Sequence, residues 1–128
     1  MTHASNRDKA TRRRAERRGH MAESLAAWWL RAKGYRIVAK RFRSPQGEID
    51  LVAVRGRTVA VIEVKARAER DAADAAIGAA QRRRIARAAL AFLQRHRAYA
   101  GFDLRFDAVF IVSGRLPRHV PDAWRPDF

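Results

Sequence analysis

Cysteine is absent from the 128 residues, which removes disulfides, Cys-type zinc sites and thiol nucleophiles together. Any bound metal must be held by oxygen or imidazole. Long apolar runs are missing too: the longest, Leu25 to Leu30 and Ala88 to Leu93, are six residues, against the roughly 18 that a bilayer-crossing helix needs. No membrane span is expected. The first residues are polar and Arg-rich without the apolar core of a secretory signal, so a cytoplasmic protein is expected. Acids are scarce: 13 Asp and Glu stand against 28 Lys and Arg, for a formal net charge of +15. Such a chain finds its complement in a polyanion, because clustered cations gain affinity by releasing phosphate counterions. Nucleic acid is the leading partner. Only four of the basic residues are lysines; a compositional bias explains arginine over lysine, but not the excess of charge.

What is present suffices for one domain. Hydrophobic residues make up 48% of the chain, enough for a core and too much for a disordered basic tail. Charge divides the chain. Residues 1–20 hold seven Lys and Arg against two acids, with no large apolar residue after Met1, and read as a flexible basic arm. Residues 21–128 read as a single folded domain that still carries +10. The arm adds to the positive charge of the domain without being its source.

Hydrophobic periodicity predicts a helix over 21–33, from Ala22, Leu25, Ala26, Trp29 and Leu30, with Gly34 as its stop. Strands follow over 35–41, 48–54 and 58–65, the last two joined as a hairpin through Arg55, Gly56 and Arg57. A long helix is expected over 75–96, a last strand over 104–112, and an irregular tail with Pro117 and Pro121. The order is α-β-β-β-α-β, an α/β fold whose mixed sheet is flanked by helices. The final strand, helix and strand suggest a crossover connection.

Within this frame Val61-Ile62-Glu63-Val64-Lys65 carries an acid and an amine two residues apart on a strand that is otherwise apolar on both faces. Alternation puts Asp50 with Val52 and Val54, and Glu63 and Lys65 with Val59 and Val61. Such a strand should be central, where burying charge costs several kcal/mol unless something compensates. Asp50 on the adjoining strand is close enough to share the site with Glu63. Two carboxylates beside a lysine suit Mg²⁺ or Mn²⁺, with water and substrate phosphate completing the shell. Lys65 would then stabilise the attacking hydroxide or the charge on phosphorus. The competing reading is a Glu63–Lys65 surface pair of little consequence.

Two helical residues join the candidates: Glu23, on a face with Ala26, Ala27 and Leu30, and Gln81, four residues from both Ile77 and Ile85. A polar group on a core-facing stripe needs a partner, although both are good helix formers at a stripe's edge. Glu48 ranks below Asp50, because it opens its strand. Asp107 reads as the partner of a basic residue such as Arg105. His3, His20, His96 and His119 show no ligand spacing and read as surface residues. No phosphate-binding glycine loop and no nucleophile elbow occurs. Arg82, Arg83, Arg84 and Arg87 form a basic band on the long helix, which with Arg41, Arg43 and the arm could track a phosphate backbone.

The segments Gly47-Glu48-Ile49-Asp50-Leu51-Val52-Ala53 and Val61-Ile62-Glu63-Val64-Lys65-Ala66-Arg67 resemble the motif of the PD-(D/E)xK nuclease superfamily. More closely, the chain is similar to the small bacterial YraN family within it. The resemblance runs from about Gly19 to Trp124 and takes in Ala22-Glu23, Gly34-Tyr35, Gln81 and Arg105-Phe106-Asp107. It implies a restriction-endonuclease-like core in which Asp50 and Glu63 bind the metal, Lys65 is the catalytic lysine, and Glu23 and Gln81 are accessory, as in the resolvase-like branch. Ile49 stands where the superfamily's name expects proline, and the Arg-rich arm is a further departure. Archaeal Holliday junction resolvases are the nearest well-understood type, implying a homodimer that cuts branched DNA in recombination or repair. Trp124 and Phe128 are candidates to seal such an interface or to pack onto their own domain. The rival class is a non-catalytic nucleic-acid-binding module with a nuclease-like fold, since members of a superfamily can keep a fold and lose its chemistry. RNA as substrate stays open.

Overall fold

A computed structural model describes Lys9 and residues 19–66 and 78–126. Nearly all of the expected basic arm therefore lies outside the described residues, as do the start expected for the long helix and Phe128. Among the described residues, 19–32 are helical and form α1. It ends at Gly34, whose φ of +92° lets the Tyr35 N–H reach Leu30 O and the Gly34 N–H reach Arg31 O, both at 3.0 Å. That pairing satisfies the last helical carbonyls.

Three antiparallel strands follow: β1 (Arg36–Ser44), β2 (Gly47–Arg55) and β3 (Thr58–Lys65). Helix α2 (Ala79–Arg95) and a short 3-10 turn (Arg97–Tyr99) lead to β4 (Asp103–Phe110), which pairs parallel with β3. The expected crossover is thus present. The sheet order is β1-β2-β3-β4-β5, with β3 at the centre as its apolar faces require.

The tail expected to be irregular forms β5 (Arg118–Trp124), antiparallel to β4. Pro121 is tolerated because β5 is an edge strand, which needs only one row of ladder bonds. The register shifts between Phe106 and Ala108, where Asp122 adopts a φ of +53°.

Helices cover both faces. Ala26, Ala27 and Leu30 of α1 pack on Leu51, Ala53, Ala60, Ile62 and Val109. Ile85, Ala88, Ala89 and Phe92 of α2 pack on Val52, Val54, Val59, Val61 and Phe106. Trp124 joins this second cluster, its ring 4.4 Å from that of Phe106, so it seals its own core. No described helix is long and apolar enough to cross a membrane.

Candidate active site

The ladder between β2 and β3 runs from Arg55↔Thr58 to Leu51↔Ile62 and stops there. Beyond it a side chain takes over: Asp50 Oδ2 accepts the backbone N–H of Val64 at 2.8 Å. The strands part at this point, and strict alternation fails with them. Ile49 packs in the same cluster as Val52 and Val54, although it should face away from both. The expected alternation is therefore broken between Ile49 and Val52, where β2 has left β3 and stays paired with β1 alone, through Phe42↔Ile49, Arg43↔Glu48 and Ser44↔Gly47.

On β3 the alternation holds. Glu63 follows Val59 and Val61 onto the α2 side, where Gln81 donates from Nε2 to Glu63 Oε1 at 3.0 Å. Lys65, 8% exposed, places Nζ 3.5 Å from the same oxygen. The surface-pair reading of Glu63 and Lys65 is excluded by this burial. Gly47 sets how closely α2 approaches, since a Cβ there would lie 2.8 Å from the Arg84 carbonyl oxygen. Any larger residue pushes α2 outward, and Gln81 with it.

Asp50, Glu63, Gln81 and Glu48 border a cavity of about 50 Å³, floored by Ile62 and Ile85. A water molecule occupies about 30 Å³ of liquid, so the space fits a cation with a water or two. Two larger hollows lie along β5 and beside the start of α2, and neither brings carboxylates and a lysine together.

The electrostatics are those of too many anions in too little water. Burial raises the Asp50 pKa to about 6; the Val64 N–H opposes the rise, and Glu63 and Glu48 add to it. Burial, with Asp50 and Glu48 nearby, raises Glu23 to about 7. Glu63 Oε2 is buried and without a hydrogen-bond partner. An unsatisfied buried carboxylate oxygen is costly, and a divalent cation between Asp50 and Glu63 removes the cost. Glu48 borders the cavity but is exposed, and among the described residues no set of three acidic or imidazole groups could hold a metal together; Asp50 and Glu63 are two carboxylates, a donor set that would suit Mg²⁺ or Mn²⁺ with the shell completed by water and substrate.

Glu23 is brought near but not into the cavity. Its Oε2 takes Arg41 Nε at 2.7 Å. The register puts Arg41 opposite Asp50, between the pairs Lys40↔Leu51 and Phe42↔Ile49, with a φ of +52°. Arg41 thus pairs with the α1 carboxylate and stands near enough to Asp50 to lower its pKa, a placement that its position in a run of basic residues did not reveal. Of the other basic candidates, Arg43 lies 3.7 Å from Glu48 and is exposed. Arg82 is half-buried with its guanidinium 5.6 Å over Trp124. Arg83, Arg84 and Arg87 are exposed, and no described carboxylate pairs with them.

A second charged cluster was missed. Asp107, fully buried, accepts from Arg105 Nε and Nη2 at 2.8 Å, as expected, and also from the Asp122 N–H at 2.9 Å and His119 Nε2 at 2.8 Å. His119, read as a surface residue, has a side chain only 1% exposed. Its burial depends on β5, which the prolines concealed. Burial opposes ionisation of Asp107, but the bonds from Arg105, His119 and Asp122 outweigh it and hold the pKa down to about 2.

Comparison with known proteins places the chain. It is 56% identical over 117 residues to a UPF0102 protein of Parvibaculum lavamentivorans, covering 91% of this chain and 88% of that one. It is 54% identical over 117 residues to one from Paramagnetospirillum magneticum (88% and 91% covered), and 54% identical over 118 residues to one from Methylorubrum extorquens (91% and 92%). The profile of the uncharacterised protein family UPF0102 matches residues 22–111, a span that holds most of α1, the hairpin with Asp50, Glu63 and Lys65, α2 and β4. With the YraN-like motif segments on adjacent strands and this match over most of its length, the chain belongs to the UPF0102 family.

Proposed function

We propose that this protein is a divalent-metal-dependent endonuclease that hydrolyses phosphodiester bonds in nucleic acid, with branched DNA as its substrate. The observation that carries the reading is the orphaned Glu63 Oε2 beside Asp50, in a buried site that also holds a lysine. The charge of +15 supports a polyanionic substrate.

Asp50 and Glu63 are the residues that would hold Mg²⁺ or Mn²⁺, which when bound supplies Lewis acidity toward the phosphate and toward water. Gln81 occupies Glu63 Oε1, so Oε2 would be the oxygen available to an ion. The Val64 amide fixes Asp50 in the same way. Lys65 Nζ, 3.5 Å from Glu63 Oε1, stands where charge that develops on the phosphoryl oxygens would be stabilised more strongly than in water. Glu23, partly neutralised by Arg41, adds negative potential at the back of the cavity. Arg83, Arg84 and Arg87 are exposed on the helix that carries Gln81, which supports a role in gripping the flanking backbone.

End-labelled four-way junction, flap, duplex and single-stranded DNA, and a matching RNA duplex, are incubated with wild type, Glu63→Ala and Lys65→Ala in Mg²⁺, Mn²⁺ or EDTA. The expected result is metal-dependent cleavage, strongest on the junction, that falls at least about a thousandfold in both variants. Binding without cutting under every condition overturns the reading in favour of a non-catalytic module. Preferential cutting of RNA overturns the choice of substrate alone.

A further inference from the structure

The buried cluster around Asp107 ends at the surface in an amine. Lys33 Nζ lies 2.6 Å from His119 Nδ1, and His119 Nε2 lies 2.8 Å from Asp107 Oδ2. Asp107 is ionised and only accepts, so Nε2 carries a hydrogen. A neutral imidazole then has a lone pair at Nδ1 and takes a hydrogen bond from Lys33. Were both His119 and Lys33 protonated, two donors would face each other at 2.6 Å. The pair therefore holds a single shared proton. This carboxylate–imidazole–amine chain has the connectivity that activates nucleophiles elsewhere, with an amine in place of a hydroxyl.

The surroundings favour the neutral amine. Tyr35, which packs edge-on to His119 at 5.6 Å, lies under the guanidinium of Arg55 at 4.5 Å and that of Arg105 at 6.0 Å. Arg55 Nη1 also donates to the Lys33 carbonyl at 3.2 Å. Burial, Arg55 and Arg105 disfavour the ammonium, while Asp107 opposes them. Arg55 is exposed and presents its charge where a doubly charged anion would approach Lys33. Lys33 stands in the turn just past the end of α1, ten residues after Glu23, about 15 Å away at 1.5 Å per residue. The cluster takes no part in the nuclease reading.

We propose that Lys33 is a reactive amine and a covalent modification site for acyl phosphates. The Lys33 ammonium passes a proton to His119 Nδ1, and the imidazolium so formed is held by Asp107. The freed lone pair forms an N–C bond with the acyl carbon, the C–O bond to phosphate breaks, and phosphate leaves with the electron pair. Of the two protons the nitrogen loses, one goes to the departing phosphate and the other, through His119, to solvent. The product is an amide, which cancels the positive charge at the end of α1.

Acetyl phosphate is the probe, and peptide mass spectrometry reads the four lysines of the chain separately. Wild type at pH 7.5 is expected to acetylate Lys33 at least about fivefold faster than the exposed strand residue Lys40, and His119→Gln to bring Lys33 to the Lys40 rate. A hydrogen-bonded lysine that only ties α1 to β5 is shielded by its partner and reacts more slowly than Lys40; equal or slower modification overturns the proposal. Should His119→Gln fail to fold, the wild-type pH profile decides. A Lys33 to Lys40 rate ratio that falls toward one as pH rises to about 10.5, where the unperturbed ammonium is half deprotonated, supports the shared proton, and a flat ratio overturns it.

Discussion

Asp50 and Asp107 sit on neighbouring parts of one sheet, and burial pushes both toward the neutral form. Asp107 receives a two-pronged guanidinium, an imidazole and a backbone N–H, and its pKa falls to about 2. Asp50 receives a single N–H, faces two more carboxylates, and rises to about 6. Position in the sheet does not separate them; their partners do. A carboxylate whose lone pairs are filled by the protein holds elements together, here β4 to β5. One left in deficit beside another acid stores a demand for positive charge that an ion can meet.

The largest expected effect that would break this contrast is on stability. Asp107→Asn leaves half-buried Arg105 against a neutral amide and strips the buried cluster of its anion, and should cost about 3–5 kcal/mol in urea denaturation. Asp50→Asn in metal-free buffer at pH 8 should do the opposite and stabilise by about 2 kcal/mol, because it removes a carboxylate that burial disfavours while keeping an oxygen for Val64. Equal losses in the two variants would erase the distinction.

Titration sharpens it. The folded pKa of Asp107 is depressed, so its contribution is present above about pH 4 and lost as pH falls toward 2. For Asp50 the folded pKa is raised: the folded state binds the extra proton, and stability declines as pH climbs from about 4 through 6, with Glu23 extending the decline toward 7. Melting curves should show the gap between Asp50→Asn and wild type widening from pH 4 to pH 8. A constant gap would mean that the site is not anion-strained.

The smallest effect is the gain from metal. At ten times its dissociation constant, Mn²⁺ should add about 1.4 kcal/mol, a rise in melting temperature of about 3–5 °C for a domain of this size. The rise should be present at pH 8, shrink at pH 5 and be absent in Asp50→Asn. A shift of the same size in Asp107→Asn measured alongside would leave the contrast intact.

The order α-β-β-β-α-β was legible because each element obeys its own period, and Glu63 and Lys65 stood out as charges on an apolar strand. Asp50 was legible by adjacency across the hairpin. What the sequence withheld depends on distance along the chain or on broken rules. β5 hides behind Pro117 and Pro121, which are tolerated beside only one neighbour, and without β5 nothing places His119 against Asp107 or Lys33, 86 residues away. Arg41 looked like one more cation of a basic band, because its contact with Glu23 needs the left-handed backbone that no local pattern announces. Gln81 was visible only as a polar interruption of a stripe; its bond to Glu63 rests on how tightly Gly47 lets α2 seat.

Where β2 and β3 part, one amide changes allegiance from the sheet to a carboxylate. The Val64 N–H is therefore a built-in spectroscopic probe. Its proton and nitrogen resonances follow the charge on Asp50 directly, through one hydrogen bond and without an attached reporter group. Protonation of Asp50 and arrival of a cation both withdraw electron density from that bond, but only the first follows pH alone. A single backbone cross-peak can then report separately a proton and any cation that would compete with it for the same oxygen atoms.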